Sequence, residues 1–319
     1  MNEAAIAHLT PNQRAWKRFR KNKPAVISAW FLAALVLLAL LWPAFSHPRV
    51  AALLPKPLTY SQEAISDAQF QPPSGQHWFG TDVHGRDSLS RVFFGARISL
   101  LVGAVGAGVS LIIGVLWGAI AGYAGGRTDN YMMRFVDILY SLPSIVFVIV
   151  LFTTFEKTLK QWLNTAFATP MGAKAPLIFL FIGLGAVSWL TMARIVRGQV
   201  LSLRTRNFVE ASRVLGASHA RILWKHILPN VYGIIMVYLT LTVPAIILYE
   251  SFLSYLGLGI QPPQASWGSL IAEGAHQINP LRIYWWLLVY PGAMLVTTLL
   301  ALNFLGDGLR DAFDPRGSR

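Results

Sequence analysis

Apolar runs near twenty residues in length recur along this chain, at 25–45, 98–123, 135–155, 177–193, 231–256 and 284–305. At ~1.5 Å of rise per residue, ~20 helical residues cross the ~30 Å hydrocarbon core of a bilayer. Lipid offers the backbone no hydrogen-bond partner, so each run is expected to be helical. The expected fold is therefore all-α and polytopic, with six transmembrane helices. An apolar share of 54% excludes a disordered chain. Charged residues, at 13%, are about half the share of an ordinary soluble domain.

The chain carries 27 Lys and Arg against 14 Asp and Glu, a net charge of +13. Their placement sets the direction of the spans. Two thirds of the basic residues fall in the tail 1–24, the loop after the second run, the region 194–230 between the fourth and fifth runs and the tail 306–319. With those segments in the cytoplasm, both termini are cytoplasmic. Most basic residues lie within loop distance of a span, not on a folded soluble face, so nucleic acid is not the expected partner. The first run has a basic flank, as a signal peptide does. No small-x-small cleavage site follows Leu41, however, so it is expected to stay as an anchor helix.

Between spans, 46–97 is rich in Pro, Gln and Ser and is expected to form a small outer cap. The stretch 156–176 is a second outer segment. The segments 98–305 form the core, with an inner loop at 198–230 and the tail 306–319 beyond. There are no cysteines, which excludes disulfides and thiolate chemistry. His219 and His226 are too far apart for one helix turn, and His77 and His84 lack a third ligand, so no metal site is expected.

Several residues inside the runs stand out. Gly114, Gly118 and Gly122 recur every fourth position and share a helix face, where small residues let two backbones approach closely. Their partner is either a helix of the same bundle or one of another subunit. Gly125 and Gly126 end that span. Pro143, Pro244 and Pro291 interrupt spans and bend them. Tyr284, Trp285 and Trp286 fit an aromatic belt at the outer interface. Glu250 is the one acid deep in a span and must find a partner or water. It is either a pathway residue or a buried hydrogen-bonding group.

The inner loop reads Asn207-Phe-Val-Glu210-Ala211-Ser212-Arg-Val-Leu215-Gly216-Ala-Ser218. Asn207 is expected to cap a helix, with Glu210 returning the bond. Phe208, Ala211 and Leu215 then share a face. Gly216 ends the helix, Ser218 caps a second one, and Pro229 marks the start of the fifth span. A partly apolar elbow beneath a membrane needs something to cover it.

These residues resemble the EAA loop of bacterial ABC-importer permeases. That family's pattern is Glu-Ala-Ala, three residues, Gly, nine residues, Ile-x-Leu-Pro. Glu210, Ala211, Gly216, Leu228 and Pro229 match it. Ser212 replaces the second Ala, and His226 replaces Ile. The likeness continues in Phe79-Gly80-Thr81-Asp82, Gly85-Arg86-Asp87, Ser90-Arg91 and Gly95-Ala96-Arg97-Ile98-Ser99-Leu100, which resemble the peptide/nickel branch. So do Ser251 to Gly259 and Gly306 to Pro315. Trp189-Leu190 and Met192 to Gln199 are most like the C-type subunit of oligopeptide importers. Read from the residues alone, Thr81, Asp82 and Asp87 cap turns, and Arg86, Arg91 and Arg97 sit at the outer headgroups.

The resemblance implies a non-catalytic permease of the cytoplasmic (inner) membrane that imports peptides. Dipeptides, nickel or another small solute are alternatives. It implies a second permease subunit in a heterodimer, two cytoplasmic ABC ATPase subunits and an outer solute-binding protein. ATP and Mg2+ would sit on the ATPases, and this chain would hold no cofactor. The inner loop would couple it to them. The sequence has no Gly-x-x-x-x-Gly-Lys-Ser/Thr loop and no polar relay inside its spans, so the driving energy is expected to come from those partners. A carrier or channel that works without an ATPase is the rival from another class.

Overall fold

The computed structural model describes residues 11–167, 175–278 and 280–313. Helix α1 (Pro11–Lys21) is amphipathic. Ala15 and Phe19 are buried while its basic residues face outward. Asn22 then caps α2 (Lys23–Phe45), accepting a hydrogen bond from the Ala25 amide at 3.2 Å. A short turn, α3 (Pro48–Ala51), and an irregular segment lead to α4 (Ser88–Ala124). Asp87 caps α4 by accepting from the Ser90 amide at 2.9 Å. Next come α5 (Gly126–Tyr140), α6 (Ser144–Phe167), α7 (Ala175–Leu203) and α8 (Asn207–Val214). A short α9 (His219–Arg221), a π-helical turn (Ile222–Ile227) and α10 (Leu228–Tyr255) follow without a break. The last elements are α11 (Trp267–His276) and α12 (Trp286–Phe313). Among the described residues there is no strand, only an isolated bridge between Thr81 and Asp87.

Four helices are each long and apolar enough to cross a bilayer: α2, α4, the continuous rod 219–255, and α12. A fifth crossing arises if α5 and α6 count as one. The expected third span, 135–155, falls on that pair. It is two helices meeting at 86° around Pro143, which supplies no backbone N–H to bridge the break. The fourth expected run falls within α7, and residues 168–174 of the 156–176 stretch lie outside the described residues. At 37 residues, α4 is ~55 Å long, so its first turns stand clear of the ~30 Å lipid core. The tail expected from 306 is still helix as far as Phe313.

Small residues set the packing. Cβ atoms added at Gly114, Gly118 and Gly122 would meet Met192, the Ala193 carbonyl and the Arg197 carbonyl of α7. Higher up, Gly106 and Gly185 face each other across the same seam. The glycine stripe thus serves a contact within this chain. Residue numbers rise together along the seam, so α4 and α7 are parallel. The α4–α10 contact runs the other way, from Ser99 beside Glu250 to Gly103 beside Val243. The α10–α12 contact is also antiparallel, Gly233 meeting Phe313 and Gly306 meeting Leu241.

Candidate functional site

The inner elbow begins where α7 ends. Arg206, not Asn207, occupies the N-cap of α8, and no side chain caps it. Asn207 is already helical, so the expected capping box with Glu210 does not form. The far end of α8 is a complete Schellman turn. Gly216 has φ +78°, its amide bonds to the Arg213 carbonyl, and the Ala217 amide reaches the Ser212 carbonyl, both at 3.0 Å. Ser218 caps the second arm, accepting from the Arg221 amide at 3.4 Å. Ser212 turns its hydroxyl back to the Phe208 carbonyl.

One residue of α8 anchors the elbow. Val209 is fully buried among Val200, Ile222 and Ile227. The other apolar residues point away. Phe208, Val214 and Leu215 are exposed, the last two at 87% and 86%, and Trp224 is exposed nearby. Glu210 and Ala211 lie on the open side too. Large apolar side chains presented to water at one elbow mark a docking surface. Leu228 is buried and Pro229 exposed. Pro229 does not end a helix here. The π-helical turn before it absorbs the missing N–H, so the second arm and α10 form one rod.

The elbow is braced from behind. The Tyr123 hydroxyl contacts His219 Nδ1 at 2.9 Å, and Arg204 donates to the Gly122 and Tyr123 carbonyls at 3.4 Å. Arg197 makes a two-pronged ion pair with Asp129 at 2.6 and 2.7 Å. That carboxylate pushes the Arg197 guanidinium further above its ordinary range. Arg194 bonds Asp137 at 2.7 Å and lies over the Tyr140 ring. These braces join α4 to α9 and to the turn after α7, and α7 to α5. Partners 57 and 68 positions apart leave no local sequence signal.

Toward the end of α10 far from the elbow, Glu250 is fully buried at a junction. Ser254 donates to one of its oxygens at 2.7 Å, and Ser99 of α4 donates to the other at 3.2 Å. Each serine in turn accepts a backbone N–H, Ser254 from Ile260 and Ser99 from Trp267. Glu250 therefore ties α4, α10, the 257–266 turn and the start of α11 together. Among the described residues its hydrogen-bond donors are hydroxyls, and no cation pairs with it. Removing the acceptor orphans two buried hydroxyls, at ~1–3 kcal/mol each. Glu250→Leu is thus expected to lower the yield of folded protein well below Glu250→Gln, measured by size exclusion in detergent. Equal losses would instead require the negative charge itself.

The outer cap rests on a buried ion cluster. Arg91 bonds Asp82 at 2.7 Å and Glu273 of α11 at 2.6 and 3.0 Å, and Arg86 bonds Asp82 at 2.6 Å. Arg91 is 4% exposed, which corrects its expected place at the headgroups. Trp286 is a second correction. It is buried and donates to the Thr81 carbonyl at 3.2 Å, and Tyr284 stacks on Phe70. Only Trp285 keeps the exposure of a belt residue. Thr81 donates to the Ala68 carbonyl. Asp87 also meets His77 at 2.9 Å, and burial pushes its carboxyl above the usual range against these bonds. A cavity of about 30 Å³ at the cluster has room for a water and not for a solute.

Residues 114–319 match the family model described as binding-protein-dependent transport system inner membrane component. The chain belongs to that family. It is a multi-pass inner-membrane permease of the ABC-transporter type, and its family implies ATPase and binding-protein partners. Residues 10–73 match the N-terminal TM domain of oligopeptide transport permease C. The permease is 45% identical to an oligopeptide transport system permease protein OppC of Haemophilus influenzae, over 95% of this chain and 88% of the relative. It is 42% identical to OppC of Bacillus subtilis, over 94% and 90%. It is also 42% identical to the dipeptide transport system permease protein DppC of Bacillus subtilis, over 97% and 87%. The fold is similar to a solved structure of the MetNI methionine ABC transporter in an inward-facing conformation. There the TM-score is 0.51 at 18% identity, covering 68% of this chain and 94% of that one.

Proposed function

We propose that this permease is one half of a heterodimeric pore that imports peptides, oligopeptides foremost, driven by two cytoplasmic ATPase subunits and fed by an outer solute-binding protein. The observation that carries the reading is the elbow. It is a rigid, Schellman-capped projection with an apolar outer surface, and its second arm is continuous with a spanning helix. The peptide cargo follows the relatives, whose names specify oligopeptides and dipeptides. The contribution of α8 is mechanical: Phe208, Glu210, Ala211 and Leu215 meet the ATPase, and Gly216 holds the turn. ATP favours one state of the ATPase pair, so its binding shifts the bundle between inward-open and outward-open forms. ATP and Mg2+ sit on those partners and not on this chain.

Six crossings with both ends in the cytoplasm complete the proposal. Helix direction supports this count. Parallel α4 and α7 need one return passage between them, and the bent α5–α6 pair supplies it. The test is purification of the intact assembly followed by reconstitution. ATP-driven uptake of trialanine, lost when the ATPases are omitted, is the expected result. Uptake without any nucleotide-hydrolysing companion would favour a carrier and overturn the proposal.

A further inference from the structure

At the inner end of the bundle, α7, α10 and α12 enclose a cavity of about 330 Å³, separate from the elbow. This is within the size range of small-ligand pockets. Gln199, Asn230, Tyr238 and Arg310 converge on it over an apolar floor that includes Ile234 and Leu241. The Asn230 amide nitrogen is held by the His226 carbonyl at 2.6 Å, which leaves its side-chain oxygen for another donor. Among the described residues no carboxylate lies within ion-pairing distance of Arg310, and its two acidic neighbours on α12, Asp307 and Asp311, do not line the cavity.

The chemistry of this set is specific in kind and tolerant in detail. Two side-chain amides and a phenol match the N–H and C=O groups of any extended backbone, whatever its side chains. One guanidinium matches one carboxylate. The apolar floor accepts aliphatic side chains. An acidic lipid headgroup fits less well, because recognition of such surfaces rests on clusters of basic residues and only one lines this cavity. We propose that this cavity is a low-affinity exit site on the permease that holds a peptide by its backbone and by its C-terminal carboxylate, the latter on Arg310. This deepens the importer reading and rests on it.

The chain has no cysteine, so Ile234→Cys in the full assembly gives a single reporter on this subunit. Its modification by N-ethylmaleimide would be followed without ATP and without the binding protein, so that no transport cycle changes access. Saturating trialanine is expected to slow the reaction about five-fold, with the C-terminal amide of trialanine binding about tenfold more weakly. Arg310→Gln is expected to erase the difference between acid and amide, and Arg310→Lys to keep most of it. Protection that follows phosphatidylglycerol content instead of peptide would overturn the proposal in favour of a lipid site. Failure of trialanine to protect, or a cysteine that never reacts, would overturn it too. If the same assembly still imports trialanine with ATP, only the cavity assignment fails. If it imports no peptide, the importer reading fails as well.

Discussion

Gly118→Val is expected to leave almost no assembled transporter in the membrane. The added Cβ meets the Ala193 carbonyl, with the Arg197 amide at 3.0 Å and Val196 Cβ at 3.0 Å behind it. Two of these are backbone atoms of α7, so no rotamer change relieves the clash and the helices must separate. Overpacking a core usually costs ~1–3 kcal/mol because side chains can yield. Here the seam holds Gly106, Gly114, Gly118 and Gly122 on one side, and parting it disturbs them all. Lipid offers no hydrophobic incentive to re-form a looser contact. Gly108→Ala provides the control on the same helix, since nothing lies within 4 Å of its added Cβ. It should be neutral or stabilising by up to ~1 kcal/mol. The readout is the amount of intact complex after mild solubilisation. Normal assembly of Gly118→Val would show that α4 and α7 do not approach this closely.

The second large effect concerns transmission and not assembly. Gly216→Pro should reduce uptake below about a tenth of the native rate while the protein remains in the membrane. Proline fixes φ near −65°, whereas the turn needs +78°. It also removes the amide that bonds Arg213. The elbow then loses its shape, yet the bundle is spared, because nothing lies within 4 Å of a Cβ at Gly216. ATP hydrolysis by the partners should persist but no longer rise when loaded binding protein is added. Gly216→Ala keeps the amide and pays only the left-handed strain of ~1–2 kcal/mol, so its loss should be partial. Full uptake in the proline variant would remove the elbow from the drive train.

Features that depend on neighbouring residues were legible in the sequence. Apolar runs located α2, α4, α10 and α12 to within a few residues, except where helices extend past the lipid. Gly216 and Ser218 announced their turns because left-handed backbone and N-cap chemistry are local properties. The misread features are long-range. Asn207 has the right chemistry for a cap, but the chain turns one residue earlier, at Arg206. Arg91 looked like a headgroup residue because its partner Glu273 is 182 positions away. Trp286 has belt chemistry yet is claimed by the Thr81 carbonyl across the cap. Pro143 signalled a bend, but not that a break of 86° would part the run into two helices. Helix α11 left no signal as a membrane element, since its ten residues are too few to cross.

The unbroken helix from His219 to Tyr255 has a geometric consequence. At 37 residues it is a strut ~55 Å long. A tilt of ~10° about its foot at the elbow swings its head by ~10 Å, about the width of a helix with its side chains. That head carries Glu250 and, through it, the start of α11, a helix that Glu273 joins to the segment before α4. A tilt imposed at the elbow is therefore carried along one continuous helix to the level of Glu250, and Pro244 is the one proline in the interior of α10.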